Sequence, residues 1–488
     1  MADREERWDV VVIGGGPAGM HGALQAGRAG RRVLLVDRER RAGGECVYRG
    51  TIPSKTLRET AVYLGRLGRR LPALAGTTAT AEIDVSRVTA RLDGVLAAHH
   101  DFLARQLEQG GVVRRQGRAR FLGPHELEIR APGGESGRVR FDHALIATGS
   151  RPREPRETPI DHEYVLDSDS ILRLPFLPRS LVVLGGGVIA SEFASIFAAL
   201  GSQVTLVDRG QRPLGFMDPE LTDRFLASFS RAGGAFVAGA TARGVTVEPL
   251  SGARVELSNG ELLEADKVLV ALGRVASLDG LGLDSLGLAP GPRGHLPVDA
   301  HGRTAVPHVY AAGDVVGPPA LAATSMEQGR RAMCHALGLP AGAGSATVPV
   351  GIYTIPEMAS VGLTEQEARE RRGAVLVGRA EHAELARAHI DDDTEGLLKL
   401  VADESGTQLL GAHAIGEGAT ELVHLAQLAM LGGLGVDTFV ENAMNFPTRA
   451  EAYRIAALQI IEQRRDRARE ASRSRRPPRP SAAPVLLA

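Results

Sequence analysis

The feature that most limits the possible folds is a pattern that occurs twice in the chain. An apolar run, residues 9–13, leads into the loop 14–19 (GGGPAG), and a second run, residues 181–184, leads into the loop 185–190 (GGGVIA). A helix-like segment and another apolar run follow each time, and an acid comes 23 residues after the first glycine, from 14 to 37 and from 185 to 208. Continuous apolar, β-branched runs are typical of buried parallel strands. The repetition therefore predicts two βαβ nucleotide-binding units in an α/β chain.

The first loop has the residues that the pyrophosphate of a dinucleotide requires. Gly14 permits the tight turn from strand to helix, Gly16 lets the pyrophosphate approach backbone N–H groups, and Gly19 allows close helix–strand packing. The phosphates then lie at a helix N-terminus, where unpaired N–H donors favour negative charge. Asp37, which Arg38 follows, ends the second strand and is placed to accept hydrogen bonds from a ribose diol. We therefore predict a Rossmann-like dinucleotide site here.

The second loop predicts a nucleotide site of mixed specificity. Its corresponding positions are Gly185, Gly187 and Ala190. Asp208 by itself favours NAD and repels a 2′-phosphate. Arg209 and Arg212 follow closely, and a guanidinium fork is suited to that phosphate. A protein that uses both nucleotides needs such a mixture, although two merely solvated arginines explain the pattern equally well.

Beyond the two loops, the chain divides into further segments. Apolar runs that end in small-residue turns at Gly149, Gly273 and Asp314 predict three more strands, and apolar residues at helical spacing predict a long helix over 88–103. From about residue 350 shorter strands precede an apolar helix at 422–431, which indicates a separate C-terminal domain. The predicted segments are 1–151, 152–275, 276–347, 348–462 and a disordered, basic, proline-rich tail, 463–488.

Composition and charge argue against several classes of protein. The formal net charge is −1 and aromatic residues are 4% of the chain, so no nucleic-acid partner is expected. The two cysteines lie far apart and no Cys/His cluster has zinc-ligand spacing, so no metal site is expected. The sequence contains neither an N-terminal signal pattern nor an apolar stretch of about 18 residues. These features predict a cytoplasmic enzyme without a membrane partner.

The segment 43–55 (GGECVYRGTIPSK) closely resembles the flavoprotein disulfide reductase family, and the resemblance extends over residues 8 to about 460. It implies that 1–151 and 276–347 bind FAD, that 152–275 binds NAD(P), and that 348–462 is an α+β dimerisation domain of a homodimer or larger assembly. The FAD-binding residues that it implies are Gly14, Gly16, Gly19, Asp37, Arg38, Gly43, Gly44, Cys46, Lys55, Thr148, Gly149 and Asp314. The NAD(P)-binding residues that it implies are Gly185, Gly187, Ala190, Glu192, Asp208, Arg209, Arg212 and Gly273.

Two departures from the family pattern remove the usual disulfide chemistry. The family has two cysteines with four residues between them, whereas this chain has Cys46 and then Thr51. Phe446 stands at the position of the family's histidine, so the retained Glu451 has no imidazole to orient. Thiol–disulfide exchange needs a resolving thiol and a group that handles its proton. We therefore expect no redox disulfide, and we expect Cys46 to be a small buried residue.

The pattern with Thr51 and without the histidine resembles the soluble pyridine nucleotide transhydrogenase branch of that family. This resemblance implies ping-pong hydride transfer between NADPH and NAD+, in either direction, through flavin N5. In the family Asp314 would hold the flavin ribityl chain, and Lys55 and Glu192 would form a pair near N5 that tunes the flavin. No acid–base catalytic residue is expected, because hydride transfer depends on alignment. The alternatives are an FAD-dependent NAD(P)H diaphorase or oxidase and a redox-sensing flavoprotein without turnover.

Overall fold

The computed structural model describes residues 6–75, 85–249, 251–342, 344 and 347–474. The chain forms two compact units, one of Met1–Leu214 with Phe229–Gly344 and the other of Gly215–Ser228 with Ser345–Ala488. The sequence placed residues 215–228 with the second nucleotide-binding segment, whereas their contacts place them with the C-terminal unit. The physical reason is a buried ion pair in that unit, because the Lys399 ammonium lies 3.0 Å from both carboxylate oxygens of Asp218.

The strands are numbered in chain order. They are β1 (Glu6–Ile13), β2 (Val33–Asp37), β3 (Val112–Gln116), β4 (Arg118–Gly123), β5 (Glu126–Arg130), β6 (Ser136–Ile146), β7 (Ser150–Pro152), β8 (Val165–Leu166), β9 (Ser180–Leu184), β10 (Gln203–Asp208), β11 (Gly234–Ala238), β12 (Ala242–Glu248), β13 (Gly252–Leu257), β14 (Leu262–Ala265), β15 (Lys267–Val270), β16 (Arg274–Ala276), β17 (Val309–Ala311), β18 (Val350–Ile352), β19 (Met358–Gly362), β20 (Leu376–Glu381), β21 (Leu397–Ala402) and β22 (Leu409–Ile415).

The helices are numbered in the same way. They are α1 (Pro17–Arg28), α2 (Gly44–Tyr48), α3 (Thr51–Ala75), α4 (Val85–Gln109), α5 (Val188–Ala199), α6 (Pro219–Arg231), α7 (Ala322–Ala336), α8 (Glu365–Arg372), α9 (Ala386–Asp391), α10 (Ala419–Leu431), α11 (Thr438–Glu441) and α12 (Glu451–Ser474). The predicted helix over 88–103 lies within α4, and the predicted apolar helix over 422–431 lies within α10. None of the described helices is long and apolar enough to cross a membrane.

The first nucleotide-binding unit is built on a seven-stranded sheet. Its strand order is β3-β2-β1-β6-β5-β4, and β17 also pairs with β6. The pairs of β1 with β2 and β6 are parallel, as are β2 with β3 and β6 with β17. Val10, Val11 and Val12 of β1 are all fully buried, because a parallel sheet is covered on both faces. Since β17 joins this sheet, the chain returns to the first nucleotide-binding unit after completing the second.

The second nucleotide-binding unit has a sheet of the same kind. Its strand order is β11-β10-β9-β15-β8, and every pair in it is parallel. A separate antiparallel sheet, β12-β13-β14, follows β11 in the chain. The three strands that the turns at Gly149, Gly273 and Asp314 predicted are the ends of β6, β15 and β17. Both predicted βαβ repeats are therefore present.

The C-terminal unit has an antiparallel sheet in the order β18-β19-β22-β21-β20. Residues of α10, α11 and α12 pack on this sheet in one hydrophobic core, which includes the fully buried Tyr453. The Tyr453 hydroxyl donates to the carbonyl of Leu422 over 2.6 Å, so α12 and α10 are joined by a buried hydrogen bond. The arrangement of helices on one antiparallel sheet is the α+β class predicted for this segment.

Helix α12 extends to Ser474, so the prediction of a disordered tail from residue 463 was wrong at its start. Gln463 donates to the carbonyl of Val377 over 2.7 Å, and Arg464 makes two hydrogen bonds of 2.6 and 2.8 Å to Asp437. Basic residues with straight side chains also have high helix propensity. These contacts and propensities continue the helix, while residues 475–488 of the predicted tail lie outside the described residues.

Candidate functional site

The first glycine loop has the close packing that its sequence requires. Gly14 has a φ of +105°, and a Cβ on it would collide with the carbonyl oxygen of Ala147. A Cβ on Gly19 would collide with the carbonyl oxygen of Gly14, so helix and loop touch there. Helix α1 begins at Pro17, directly after Gly16. Proline has no backbone N–H, which costs no hydrogen bond at the first helical position, because the N–H of a residue there has no partner within the helix.

The acid that ends β2 turns back onto the first loop. Asp37 is buried, and its carboxylate accepts hydrogen bonds from the backbone N–H of Gly15 and of Glu39. Burial raises the pKa of Asp37, and these two backbone donors oppose the rise. A carboxylate has about four acceptor positions, so capacity for ribose hydroxyls remains. Arg38 beside it pairs with Glu45 at 2.9 Å, which directs the guanidinium toward the segment that carries Cys46.

The cysteine segment forms the short helix α2 and the start of α3. Gly43 and Gly44 precede Cys46 and have φ values of +132° and +57°. Burial raises the pKa of the Cys46 thiol, and the neighbouring Thr51 side chain and the Lys55 charge oppose the rise. Both cysteines of the chain are free. Cys46 is thus partly buried with a hydroxyl, and not a second thiol, as its neighbour.

The structure brings together Lys55 and Glu192, which the sequence predicted as a pair. The Lys55 ammonium lies 2.6 Å from a carboxylate oxygen of Glu192. Lys55 is on α3, which follows the cysteine segment, and Glu192 is on α5, which follows the second glycine loop. Glu192 is buried and Lys55 is partly exposed. The ammonium is therefore held in place by a buried carboxylate.

Two groups near the end of β6 fit a bound dinucleotide. The hydroxyl oxygen of Thr148 is buried and has no hydrogen-bond partner among the described residues. Asp314, which follows β17, accepts a hydrogen bond of 2.6 Å from the Ser150 hydroxyl. Gly149 and Gly16 leave open space, since a Cβ on Gly149 would meet nothing within 4 Å and one on Gly16 only Gly44 at 3.8 Å. An orphaned hydroxyl and an open backbone loop are what FAD would satisfy.

The second glycine loop has the same geometry as the first. Gly185 has a φ of +112°, and a Cβ on it would lie 2.6 Å from the carbonyl oxygen of Ala271. Helix α5 begins at Val188, and a Cβ on Gly187 would meet nothing within 4 Å, so the loop backbone is open to a ligand. Ala190 is fully buried on α5 in the position of the third glycine. The loop is thus an open helix N-terminus, which suits a pyrophosphate.

The predicted specificity residues lie at the end of β10. Asp208 accepts a hydrogen bond of 2.6 Å from the backbone N–H of Gly210. Arg209 and Arg212 are both exposed. Gly273, after β15, has a φ of +101° and open space where its Cβ would be. The carboxylate and the two guanidinium groups therefore occupy one short stretch of backbone beside the second loop.

Sequence reasoning missed a charged cluster that consists of Glu45, Arg49, Asp169 and Arg274. Arg49 lies 3.0 Å from Glu45 and 3.7 Å from Asp169, and Arg274 lies 3.9 Å from Glu45. Burial, together with the Glu45 charge, raises the pKa of Asp169 to about 6. The only sequence signal for the cluster was position, since Arg274 directly follows Gly273 and Glu45 directly precedes Cys46.

The C-terminal unit contains the segment where the family has its histidine. Phe446 is 67% exposed, and its ring has no exchangeable proton. Glu451 begins α12, and one of its carboxylate oxygens is buried without a partner in the described chain. Arg449 between them pairs with Asp391 at 2.7 Å and with Asp393 at 3.2 Å. Within the described residues, no group of three or more His, Cys, Asp or Glu side chains could hold a metal ion.

Comparison with known proteins gives a consistent family. The model of the pyridine nucleotide-disulphide oxidoreductase family matches residues 8–329, and the model of its dimerisation domain matches residues 348–457. A protein named soluble pyridine nucleotide transhydrogenase from Mycobacterium tuberculosis (strain ATCC 25177 / H37Ra) is 40% identical over 459 residues, which cover 94% of this chain and 98% of that protein. A protein of the same name from Hahella chejuensis is 39% identical over 467 residues, covering 93% and 98%.

Two solved structures share the fold of this chain. LpdA from Mycobacterium tuberculosis has a TM-score of 0.86 at 28% identity, covering 93% of this chain and 99% of that chain. The Cu(II) complex of the HOCl-induced flavoprotein disulfide reductase RclA from Escherichia coli has a TM-score of 0.84 at 26% identity, with coverage of 93% and 99%. The predicted fold class, the FAD cofactor and the NAD(P)H substrate are thereby confirmed. The chain belongs to the pyridine nucleotide-disulphide oxidoreductase family and is an oxidoreductase.

Proposed function

We propose that the protein is an FAD-dependent NAD(P)+ transhydrogenase, which moves a hydride between NADPH and NAD+ in either direction. The observation that carries the proposal is the environment of Cys46, whose thiol is free and has the Thr51 side chain as its neighbour, where the family has a second thiol. The other cysteine, Cys334, lies near the C-terminal end of α7 and accepts a hydrogen bond from Arg330. A disulfide relay needs a partner thiol, so electrons that reach the flavin would not pass to sulfur, and a second nucleotide would take them instead.

Each nucleotide would be held by backbone that is already arranged for it. The first loop with Asp37, Thr148 and Asp314 would hold FAD, which when bound supplies hydride acceptance and return at its isoalloxazine N5. The second loop would hold NAD(H) and NADP(H) in turn, in a ping-pong sequence. Lys55, fixed by Glu192, would place positive charge near the site of transfer.

The residues would act by alignment and water exclusion, with no side chain moving a proton. A hydride passes between two stacked rings, so rate depends on their distance and orientation. The histidine that serves thiol chemistry in the family is replaced here by Phe446, whose ring cannot donate or accept a proton. The names of the relatives support this reading, and the match to the dimerisation domain supports a homodimer.

The test is an anaerobic mixture of the purified protein with NADPH and thio-NAD+, followed at the absorbance of thio-NADH. The proposal predicts product in many turnovers per flavin. Oxygen consumption that matches NADPH loss in air, without thio-NADH in the anaerobic assay, would instead identify a diaphorase or oxidase. Flavin bleaching without turnover would identify a redox sensor.

A matched pair of variants tests the part of the proposal that concerns sulfur. Cys46→Ser removes the thiol beside Thr51, and Cys334→Ser removes the buried thiol on α7 as a control. If no sulfur atom carries electrons, Cys46→Ser lowers turnover by less than about tenfold, because serine preserves size and hydrogen bonding. Loss of thio-NADH formation in Cys46→Ser, with Cys334→Ser still active, would contradict the mechanism.

A further inference from the structure

Ser150, Arg274 and Asp314 form a continuous chain of hydrogen bonds. The Arg274 Nε donates to the Ser150 hydroxyl oxygen over 2.8 Å, and that hydroxyl donates to a carboxylate oxygen of Asp314 over 2.6 Å. A second nitrogen of the same guanidinium donates to the backbone carbonyl of Ser150 over 2.8 Å. Arg274 thus donates hydrogen bonds to both the side chain and the backbone of Ser150, the residue that donates to the Asp314 carboxylate.

The chemistry of the three groups fixes the direction of this chain. A guanidinium has donors and no acceptor, whereas a hydroxyl has a single proton to donate. Because the Ser150 hydroxyl accepts from Arg274, its own proton is directed to the Asp314 carboxylate. Bonds in which one partner is ionised are shorter and stronger than neutral ones. This chain joins a guanidinium to a carboxylate, so Asp314 is held in one orientation by a bond that uses one of its two carboxylate oxygens.

Arg274 is itself fixed by its surroundings. It begins β16, which pairs antiparallel with β7, where Arg274 lies opposite Pro152. Its guanidinium also approaches the Ser168 hydroxyl at 3.5 Å and the Glu45 carboxylate at 3.9 Å, and its side chain is largely buried. An immobilised arginine can orient a neighbour, whereas a mobile surface arginine loses that ability to side-chain entropy.

We propose that Arg274 is a positioning residue for the flavin, which acts through Ser150 to orient Asp314. The inference rests on the proposed role of Asp314 in holding the ribityl chain of FAD. It goes further by adding two residues that act through Asp314 and not on the cofactor directly. Arg274 directly follows Gly273, which is one of the predicted NAD(P)-binding residues.

The experiment measures the dissociation constant of FAD for the apoprotein in Ser150→Ala, Arg274→Met, Arg274→Lys and the Ser150→Ala/Arg274→Met double variant. Loss of one charge-assisted hydrogen bond should raise the dissociation constant by about ten- to a hundredfold in Ser150→Ala and in Arg274→Met. The double variant should bind FAD no more weakly than the weaker-binding single variant, because both substitutions interrupt the same hydrogen-bond chain. Arg274→Lys retains a donor and should recover part of the affinity.

The control is Arg151→Met on β7. The Arg151 guanidinium pairs with exposed Asp279 at 2.8 Å and is not part of the hydrogen-bond chain from Arg274 to Asp314. Arg151→Met should leave FAD affinity within about twofold. Additive losses in the double variant, or FAD affinity unchanged in both single variants, would overturn the inference. Asp314→Ala distinguishes the role of Asp314 from the role of the residues that orient it. Unchanged FAD affinity in Asp314→Ala would overturn the role of Asp314 itself. Weak FAD binding in Asp314→Ala together with wild-type FAD affinity in Ser150→Ala would overturn only the positioning role of Ser150 and Arg274.

Discussion

Replacing Lys399 by methionine would remove the cation at the centre of a buried charged cluster in the C-terminal unit. The ammonium lies 3.0 Å from both oxygens of Asp218, 3.1 Å from Glu220 and 2.8 Å from Glu365. Lys399 is 4% exposed by its side chain and Asp218 is completely buried. Methionine has a similar length and fills most of the same space, so the change is mainly one of charge.

The magnitude follows from these distances. Two unit charges at about 3 Å attract by roughly 5 kcal/mol at an effective dielectric constant of about 20. Desolvation offsets much of the sum over three partners, and breaking a buried pair by removing one member costs about 3–5 kcal/mol. For a domain of this size, each kcal/mol corresponds to about 2–4 °C in the midpoint of thermal unfolding. We therefore expect Lys399→Met to lower the midpoint by about 10 °C at pH 7.

The loss should also depend on pH. Burial would raise the pKa of Glu365, but hydrogen bonds from Lys399 and Arg369 outweigh it and lower that pKa to about 2. A lowered carboxyl pKa stabilises the fold above the unfolded value, and this stability is lost as pH falls toward the folded value. Without Lys399 that contribution shrinks, so the difference between wild type and variant should narrow below about pH 5.

The assay is thermal unfolding at fixed protein and FAD concentrations, followed by circular dichroism at pH 7 and at about pH 3, which lies between the folded and unfolded pKa values of Glu365. Arg369→Met is the matched control, because Arg369 contacts the same Glu365 carboxylate at 2.7 Å but is 52% exposed. An exposed pair contributes less than about 1 kcal/mol. The reasoning fails if Lys399→Met is no less stable than Arg369→Met, or if its deficit is the same at both pH values.

Two further predictions concern the nucleotide-binding unit. Burial and the Glu45 charge raise the pKa of Asp169 to about 6, so its ionisation opposes folding as pH rises from about 4 to 6. Asp169→Asn should therefore have a free energy of unfolding about 1–2 kcal/mol higher than wild type at pH 8, after allowance for solvent screening, and the same value as wild type at pH 4. Chemical denaturation at the two pH values measures the difference. An equal increase in stability at both pH values would refute the prediction. Replacing Arg209 and Arg212 by alanine should raise KM for NADPH about tenfold and KM for NADH less than about twofold, because only NADPH carries the 2′-phosphate. Steady-state assays measure both values. Equal increases would show that neither arginine binds the 2′-phosphate.

Features set by local backbone chemistry could be predicted from the sequence. The two glycine loops, their flanking strands and the acids Asp37 and Asp208 lie where the spacing indicated. The helices α4 and α10 appear where apolar residues repeat at helical spacing. The resemblance to a family located Lys55 and Glu192 as a pair, and their charges are 2.6 Å apart.

Features that depend on residues far apart in the sequence could not be predicted. Lys399 and Asp218 are separated by 181 positions, and Ser150 and Asp314 by 164, so no local pattern links them. The extension of α12 past residue 463 depends on the hydrogen bonds from Gln463 and Arg464, which composition does not reveal. The composition of the basic stretch from residue 463 predicts a solvated tail, and only the hydrogen-bond partners of its residues show that a helix continues there.

The amino-acid sequence alone determined that this chain forms two dinucleotide loops, because a glycine turn, a helix start and an acidic strand end are local requirements of the backbone. The tertiary structure alone decided which charges meet: it directed the proton of Ser150 to Asp314, raised the pKa of Asp169 and buried Lys399 among three carboxylates. The reason is that electrostatic energy depends on distance and burial in space, and both are set by packing that sequence spacing does not encode.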